Sequence, residues 1–497
     1  MAGIGVKLNR IFQKNTLTSS IYGFAYSVVA TIAPMLLVIG AILVMQLLLD
    51  FTHVGYAQRE LFACTVLYIF IFSLLTVSPF LAVLSKYMSD IIYKEQYANI
   101  LCCFYVGLIL SVSLGFIGGA LFCLHEYFVG HVALHFVFAG FGGFMSLILV
   151  FYSMLYLLIC KDYSKISRFF FIGMLVCVIL SWILVKWCGW QVAFAMLVSM
   201  DVGFILIACL EIALIKSYFR QNSGEYRDVL RYLKKYWQLV LTNFFYILGL
   251  YVHNFVFWTT DMRMVVVKSF VCMQPYDMAT CLAMFTNISA SVIFIARVEM
   301  HFRERYKAYS EMVIGGRGMD IENAKTRMFR QMGEEISSLV RIQFIISVVI
   351  FFIAMIILPQ FGFGGIILKI YPCLAAGYFI LFVMYNMNIF LYYYADLYGA
   401  LLTTFSFCLV TFLGSLLSSR LPEIWYGLGL VLGSFTGWSV AYGRMRWMEK
   451  NLDVHIFCNG NILKRAHGVR PSSKVFDRKA LAEQKSGEQT ENEAKVL

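Results

Sequence analysis

Twelve apolar runs, each long enough to cross a lipid bilayer, follow one another along the chain. A transmembrane helix needs about 20 mostly apolar residues, and a helix is the simplest segment that pairs its own backbone groups in lipid. With 61% apolar and 14% charged residues, a chain of 497 residues could not keep its apolar side chains out of water as a soluble domain. The sequence therefore predicts an all-α polytopic membrane protein with about twelve transmembrane helices, near 21–49, 61–84, 101–124, 132–160, 169–188, 192–214, 237–258, 276–297, 342–358, 371–391, 397–418 and 424–445.

The basic residues alternate between the two sides that these spans define. The side that holds both termini carries 34 of the 40 Lys and Arg residues, and the other side carries 6. Because cytoplasmic loops are enriched in Lys and Arg, we expect a multi-pass protein of the cytoplasmic (inner) membrane, surrounded by membrane lipids, with both termini cytoplasmic. The first run is too long for the apolar part of a signal peptide, so we expect it to remain as a span. The clustering of charge between spans indicates membrane topology and no nucleic-acid partner.

A basic segment near the middle divides the spans into two sets of six. The predicted organisation is an N-terminal six-helix bundle at 1–215, a basic cytoplasmic linker at 216–236, a C-terminal six-helix bundle at 237–445 and a cytoplasmic tail at 446–497. The second bundle contains a cytoplasmic loop at 298–341, in which glycines separate two helical stretches. The apolar residues of the second stretch recur at helical spacing, which suits a helix lying on the membrane surface. The tail after 471 is polar and is predicted to be largely disordered.

Signatures of enzymes and metal sites are not found. The glycines of GGRGMD, at Gly315 to Asp320, lack the Lys and Ser or Thr that end a phosphate-binding loop. His455 and Cys458 have ligand-like spacing but no partners nearby in the sequence. We therefore predict no catalytic residues, no metal site and no cofactor.

The most informative polar residue is Asp201, near the middle of the sixth span. A charged residue at that depth costs roughly 2.5–3.5 kcal/mol on insertion scales, so its side chain must face protein or water. It is either a site for a cation, a proton or a cationic sugar, or a carboxylate bonded to a neighbouring helix. Glu211 lies closer to the cytoplasmic end of the same span and is expected to reach the interface.

Further polar residues lie at helical spacing on one face of the seventh span, where they predict the lining of an interior cavity. Hydrogen bonding between helices is the alternative. With Asp201, the predicted substrate or ion pathway contains Asn243, Tyr246, His253, Asn254 and, in the eighth span, Asn287.

Two prolines interrupt otherwise continuous apolar runs, Pro34 in the first span and Pro79 in the second. Each removes a backbone hydrogen bond and favours a kink. The kinks are expected either to bend during transport, as gating points, or to set a fixed curvature.

Several segments resemble a known family. They are the opening MAGIGVKLNRIFQKNTL with AYSVVATIAP, SKYMSDIIYKEQYANIL at 85–101, YILGLYVHNFVFW at 246–258, ADLYGALL at 395–402 and MEKNLDVHIFC at 448–458. Together with the loop ERYKAYSEMVIGGRGMDIENAKTRMFRQM, they are similar to the PelG family of membrane transporters of the Pel exopolysaccharide system. The resemblance covers nearly all of the chain up to about residue 470.

This resemblance implies a flippase-like fold of two six-helix bundles around a central cavity, related to multidrug and oligosaccharide-lipid flippases. It also implies a polysaccharide substrate that is rich in cationic amino sugars and destined for a biofilm matrix. The implied partners are a cytoplasmic glycosyltransferase and other Pel-type membrane subunits, and the basic loop is a candidate dock for the enzyme or for anionic lipid. Two alternatives are a proton- or sodium-coupled exchanger of small cationic compounds and a membrane scaffold for a glycosyltransferase that conducts nothing.

Overall fold

A computed structural model describes residues 17–160, 163–267, 270–287, 299–361 and 364–459, and these residues form fourteen α-helices and one short β-hairpin. The first half contains α1 Leu17–Leu48, α2 Tyr56–Tyr93, α3 Asn99–Phe128, α4 Leu134–Ile159, α5 Tyr163–Lys186 and α6 Val192–Tyr218. After a short helix, α7 Tyr226–Lys235, the second half contains α8 Trp237–Phe257, α9 Gln274–Asn287, α10 Glu299–Gly315, α11 Gly318–Ile357, α12 Ile366–Tyr393, α13 Leu397–Ser418 and α14 Leu428–Asn459. The hairpin pairs β1 Met264–Val267 with β2 Phe270–Cys272.

Ten of the helices in the described part of the chain are long and apolar enough to cross a membrane. The other two predicted spans correspond to α1 and α9, and part of the eighth span, 288–297, lies outside the described residues. The predicted all-α polytopic membrane fold is confirmed. The predicted disorder of the tail after 471 also lies outside the described residues.

Helix pairing repeats between the two halves. In the first half α1 packs on α5 and α2 packs on α4, and the same pairs six spans later, α8 with α13 and α9 with α12, pack in the second half. Helix α2 also packs on α8, which joins the halves. The repeat is therefore present in the packing, although the amino-acid sequences of the halves show no matching repeat.

The predicted linker at 216–236 contains an ordered helix. The buried Val229 anchors α7, and the hydroxyl of Tyr232 donates a hydrogen bond of 2.5 Å to the carboxylate of Asp90 on α2. Burial, together with that carboxylate, raises the pKa of Tyr232 far above its usual value. This segment is therefore attached to the first half along its length.

The prediction that a helix of the loop at 298–341 lies on the membrane surface is wrong. The glycines separate two helices as expected, but the second, α11, continues without a break for 40 residues into the ninth span. Its apolar face packs on the end of α12, because the Phe329 ring stacks on Tyr394 at 5.4 Å and the Tyr394 hydroxyl lies 3.3 Å from the sulfur of Met332. At a rise of 1.5 Å per residue, α11 is about 60 Å long, roughly twice the hydrocarbon thickness of a bilayer. The periodic apolar face contacts protein, and no proline separates it from the span.

The hairpin between α8 and α9 was not predicted. Its first strand contains three consecutive valines, which favour extended structure. The Tyr68 hydroxyl of α2 donates a hydrogen bond of 2.6 Å to the carbonyl of Val271. The ring of Tyr68 stacks on those of Phe270 and Trp258, with centroids 5.2 and 5.0 Å away. The second half of the chain thus covers one end of α2.

Candidate substrate pathway

Asp201 lies on α6 where that helix faces α4 and α2. Its side chain is 8% exposed, and two glycines of α4 leave the space that it occupies. A Cβ atom added at Gly143 would lie 2.5 Å from Oδ1 of Asp201, and one added at Gly142 would lie 3.1 Å from Oδ2. The glycine pair, which sequence reasoning missed, is written in the sequence as FGGF at 141–144.

The Asp201 carboxylate is nearly unpartnered. Oδ1 has no hydrogen-bond partner among the described residues, and Ile69 of α2 adds an apolar wall beside Gly143. A buried carboxylate without a fixed donor is costly, and a proton, a cation or a cationic ligand relieves that cost. The described contacts include no neighbouring helix that bonds to Oδ1, and the role of Asp201 as a ligand or ion site stays a prediction.

Glu211 lies ten residues after Asp201 on α6. We expected it to reach the membrane interface, but it does not. Its side chain is fully buried, and Oε2 accepts a hydrogen bond of 2.6 Å from the Ser153 hydroxyl of α4. Oε1 has no partner among the described residues. The expectation failed because position along a helix does not show which side of the helix is covered by another.

Asn243 joins the second half of the chain to α2. Its side-chain amide donates a hydrogen bond of 2.5 Å to the carbonyl of Ser78, next to Pro79. Pro79 has no N–H group for the carbonyl of Leu75, and the Ser78 hydroxyl donates to that carbonyl instead, at 2.8 Å. Pro34 and Pro79 both lie inside helices. Both therefore remain candidate positions for a kink.

Tyr246 and His253, further along α8, contact aromatic residues. The Tyr246 ring stacks on Tyr385 of α12, with centroids 4.7 Å apart. His253 is fully buried, and its Nδ1 lies 2.9 Å from the hydroxyl of Tyr276, whereas Nε2 has no partner among the described residues. An imidazole nitrogen without a partner in this position is able to accept or donate one further hydrogen bond.

Asn254 belongs to a hydrogen-bonded cluster centred on Asp277, a residue that sequence reasoning missed. Asp277 accepts hydrogen bonds from the Asn254 amide at 2.7 Å, from the Trp258 indole at 3.0 and 3.1 Å, and from the Met273 backbone at 3.2 Å. The sequence signal was the pair Pro275 and Asp277 in the first turn of α9, a typical helix start. The cluster fixes the end of α8 to the start of α9.

Asn287 forms a separate network at the other end of α9. Its amide donates to the carbonyls of Ala375 at 3.0 Å and Ala283 at 3.2 Å. Its oxygen accepts from the Ser347 hydroxyl at 2.6 Å and lies 3.5 Å from Nε2 of Gln343. Asn287 therefore connects α9, α11 and α12.

The structure thus divides the predicted pathway residues between two places. Asp201 is in the first half, and the others are on α8 and α9 of the second half. Helix α2 lies beside both places, because Ile69 is next to Asp201 and Ser78 accepts from Asn243. These two contacts are nine residues apart, about 14 Å along the helix. Exposure of all the pathway residues to one aqueous cavity stays a prediction.

A family profile described as "PelG: Putative exopolysaccharide Exporter (EPS-E)" matches residues 1–457. The chain belongs to the PelG family. No individually curated protein sequence matches it. Membership of the PelG family makes the chain a membrane exporter and not an enzyme.

Solved structures of transporters share the fold. An inward-facing multidrug resistance MATE family transporter of the MOP superfamily is 12% identical, with a TM-score of 0.57 over 86% of this chain and 99% of that one. An outward-facing form is 13% identical, with a TM-score of 0.52 over 87% and 96%. A MOP superfamily transporter from Pyrococcus furiosus is 11% identical, with a TM-score of 0.51 over 86% and 96%. At these identities the similarity extends to the fold alone.

Proposed function

We propose that this PelG-family exporter carries an exopolysaccharide with cationic amino sugars across the cytoplasmic membrane, for a biofilm matrix. Both termini lie in the cytoplasm in this proposal, with 1–215 and 237–445 as the two bundles. The observation that carries it is the buried Asp201 carboxylate, whose Oδ1 has no partner among the described residues. An ammonium group on a passing sugar would supply the hydrogen-bond donor that Oδ1 lacks within the chain.

The second half supplies groups of a different kind to the proposed pathway. Tyr246 and Tyr385 form a stacked aromatic pair of the type on which the apolar face of a sugar ring packs. His253 and Asn254 each keep one polar atom without a partner among the described residues. We assign these residues to sugar contact and Asp201 to charge recognition.

The cytoplasmic partner in this proposal is the glycosyltransferase that makes the polymer, docked on the hairpin of α10 and α11. That hairpin exposes Arg327 and Arg330 while its apolar underside is buried. Lys325 is not part of the exposed face, because it is 9% exposed and its ammonium lies 2.9 Å from the Glu322 carboxylate. Other Pel-type membrane subunits would contact the same assembly.

Gene deletion with complementation tests the transport proposal. The deleted strain is expected to lose secreted amino-sugar polymer and to keep its resistance to cationic dyes. The wild-type gene should restore secretion, Asp201→Asn should reduce it at least tenfold at equal protein level, and the exposed control Asp228→Asn should behave as wild type. Loss of dye resistance with intact polymer secretion would instead make the chain an exchanger of small cations.

Cysteine labelling tests the pathway itself. In a cysteine-free background, cysteine at position 243 or 246 is expected to react with a water-soluble thiol reagent faster than cysteine at the neighbouring position 244. Equal reaction at all three positions would remove α8 from the pathway. Reporter fusions after Lys235 and Arg341 should read as cytoplasmic, and an external reading at Lys235 would overturn the orientation.

Co-purification tests the dock. Charge reversal of Arg327 and Arg330 to Glu should reduce recovery of the glycosyltransferase with the exporter, whereas the same change at Arg231 of α7 should not. Full recovery with the Arg327 and Arg330 variant would exclude the α10–α11 helix pair as the dock and leave the transport proposal standing. Loss of membrane association of the hairpin without loss of the enzyme would favour anionic lipid as its partner.

A further inference from the structure

A cavity of about 250 Å³ lies between α2, α3 and α4, at the end of the first half that the β-hairpin covers. It extends along α2 from Thr65 to Thr76, about 16 Å, which is roughly half the hydrocarbon thickness of a bilayer. Its walls are mainly apolar and include the rings of Phe72, Phe122, Phe136, Phe141, Phe144 and Phe270. None of the pathway residues discussed above lines it.

The hydroxyl groups in this wall are engaged by the protein itself. Thr65 donates to the Leu61 carbonyl at 2.6 Å, and Thr76 donates to the Phe72 carbonyl at 2.7 Å. The Tyr68 hydroxyl donates to the carbonyl of Val271 and accepts from its N–H at 3.3 Å. A sugar chain in this cavity would leave most of its hydroxyls without partners, a cost that excludes it as the occupant.

A carboxylate stands at one end. Glu126 of α3 lines the cavity and is 2% exposed, and its backbone carbonyl accepts from the N–H of Val132, which lines the same end. Among the described lining residues it is the one carboxylic acid, and its Oε1 lies 3.4 Å from Nδ1 of the neighbouring His125. The ligand that matches these walls is therefore a long apolar chain with one cationic end.

The cavity opens on a surface that faces lipid. Gly118 lines it, and a Cβ atom added there would meet nothing within 4 Å. The flanking side chains of Phe116, Ile117 and Leu121 are 55%, 60% and 64% exposed, on a helix that is apolar enough to cross the membrane. Exposed apolar side chains at this position contact bilayer lipid, so a lipid chain is able to enter beside Gly118.

We propose that this cavity binds one hydrocarbon chain of an amine-headed membrane lipid, with the lipid ammonium at Glu126. The occupant is a phospholipid of the phosphatidylethanolamine type, drawn from the bilayer. Because Phe270 belongs to the β-hairpin and closes the cavity, the lipid chain contacts both halves of the exporter. Lipid identity at this site would then affect how firmly the hairpin rests on α2. The proposal does not depend on which polymer is exported.

Lipid retention by the purified full-length protein tests this proposal. Protein in nanodiscs containing equal amounts of phosphatidylethanolamine and phosphatidylglycerol is released into detergent, and retained lipids are counted by native mass spectrometry. We expect one phosphatidylethanolamine to be retained in preference to phosphatidylglycerol. A photoreactive acyl-chain phosphatidylethanolamine should cross-link to the peptide containing 116–127.

Three variants separate the chain site from the headgroup site. Gly118→Leu places a branched side chain at the opening of the cavity and should reduce retention and cross-linking at least tenfold, whereas Gly40→Leu, at another helical glycine whose added Cβ meets nothing within 4 Å, should not. Glu126→Gln should leave cross-linking in place but abolish the preference for the amine headgroup.

Unchanged cross-linking in Gly118→Leu would overturn the chain site, and an unchanged preference in Glu126→Gln would overturn the headgroup assignment. If Gly118→Leu does not fold, Phe144→Trp, which narrows the same cavity from α4, replaces it with the same expected loss. Loss of polymer secretion in Asp201→Asn would leave all of these readings unaffected, so the two proposals fail independently.

Discussion

The two carboxylates buried on α6, Asp201 and Glu211, differ from two carboxylates buried in the second half, Asp277 and Asp396. On α6 each carboxylate keeps one oxygen without a partner among the described residues. In the second half both carboxylates are held by several donors: Asp277 by an amide, an indole and a backbone N–H, and Asp396 by the Arg444 guanidinium. The carboxylates of Asp277 and Asp396 thus fix helices, whereas those of Asp201 and Glu211 on α6 each keep one oxygen available.

The difference has a physical meaning. A buried carboxylate with complete hydrogen bonding is part of the fold, and removing it leaves donors without acceptors. A buried carboxylate with an open oxygen lowers stability, and such groups in membrane proteins mark ligand or ion pathways. Stability measurements on matched substitutions in the two halves therefore test the assignment of the pathway to Asp201.

The largest effect is expected at Asp396. Its carboxylate is 3% exposed and accepts two hydrogen bonds of 2.9 Å from Arg444, and it also accepts the N–H of Gly399 at the start of α13. Asp396→Ala removes the buried carboxylate that accepts from the partly buried Arg444 guanidinium and should lower the free energy of unfolding by about 3 kcal/mol. Thermal or denaturant unfolding in detergent measures this. The exposed pair of Arg231 and Asp228 provides the control, since Asp228→Ala should cost less than about 0.5 kcal/mol.

The sharpest test compares the same substitution in the two halves. Asp277→Asn places an amide N–H₂ group among the donors of Trp258, Asn254 and Met273, and should destabilise the protein by about 2 to 3 kcal/mol. Asp201→Asn removes a buried charge that has no fixed donor at Oδ1, and should leave stability within about 1 kcal/mol of wild type or raise it. Equal destabilisation by both substitutions would show that Asp201 is held by the fold in the same way as Asp277.

A smaller effect is expected at the glycine pair. Gly143→Ala would place Cβ 2.5 Å from Oδ1 of Asp201 and should cost about 1 to 2 kcal/mol, because the carboxylate or α4 must move. Asp201→Ala in the same chain should recover most of that loss. Gly40→Ala, where added Cβ meets nothing within 4 Å, should not destabilise. A loss at Gly143 that persists in the double variant would mean that the glycine serves helix packing alone.

The smallest effect is expected at the segment that joins the halves. Tyr232→Phe removes the hydrogen bond to Asp90 while keeping the ring against Tyr87, at 4.9 Å, and should cost about 1 kcal/mol. Asp90→Asn should give a loss no larger than this, because the hydroxyl can still donate to the amide oxygen. Hydrogen exchange of α7 would show whether the segment opens locally. Unchanged exchange in Tyr232→Phe would mean that apolar packing, including the buried Val229, holds the segment without the hydrogen bond to Asp90.

Sequence reasoning identified Asp201 and the polar positions of α8 but not the partners that distinguish them. Asp277 was overlooked because it lies at the start of a predicted span, where a carboxylate is unremarkable. Gly142 and Gly143 were overlooked because glycine has no side chain to signal a neighbour on another helix. The β-hairpin was overlooked because its run of valines lies in the short connection between two predicted spans.

An all-α membrane fold follows from the amino-acid sequence alone, since apolar runs of about 20 residues have few other stable states in lipid. The tertiary structure settled which buried polar groups are satisfied, because the donors of Asp277 and Asn287 come partly from other helices, and no periodicity within one span reveals them. It also decided that the apolar face of α11 packs on Tyr394 and does not lie on lipid. An amphipathic pattern indicates that one face of a helix is covered. Whether protein or membrane covers that face depends on where the neighbouring helices end.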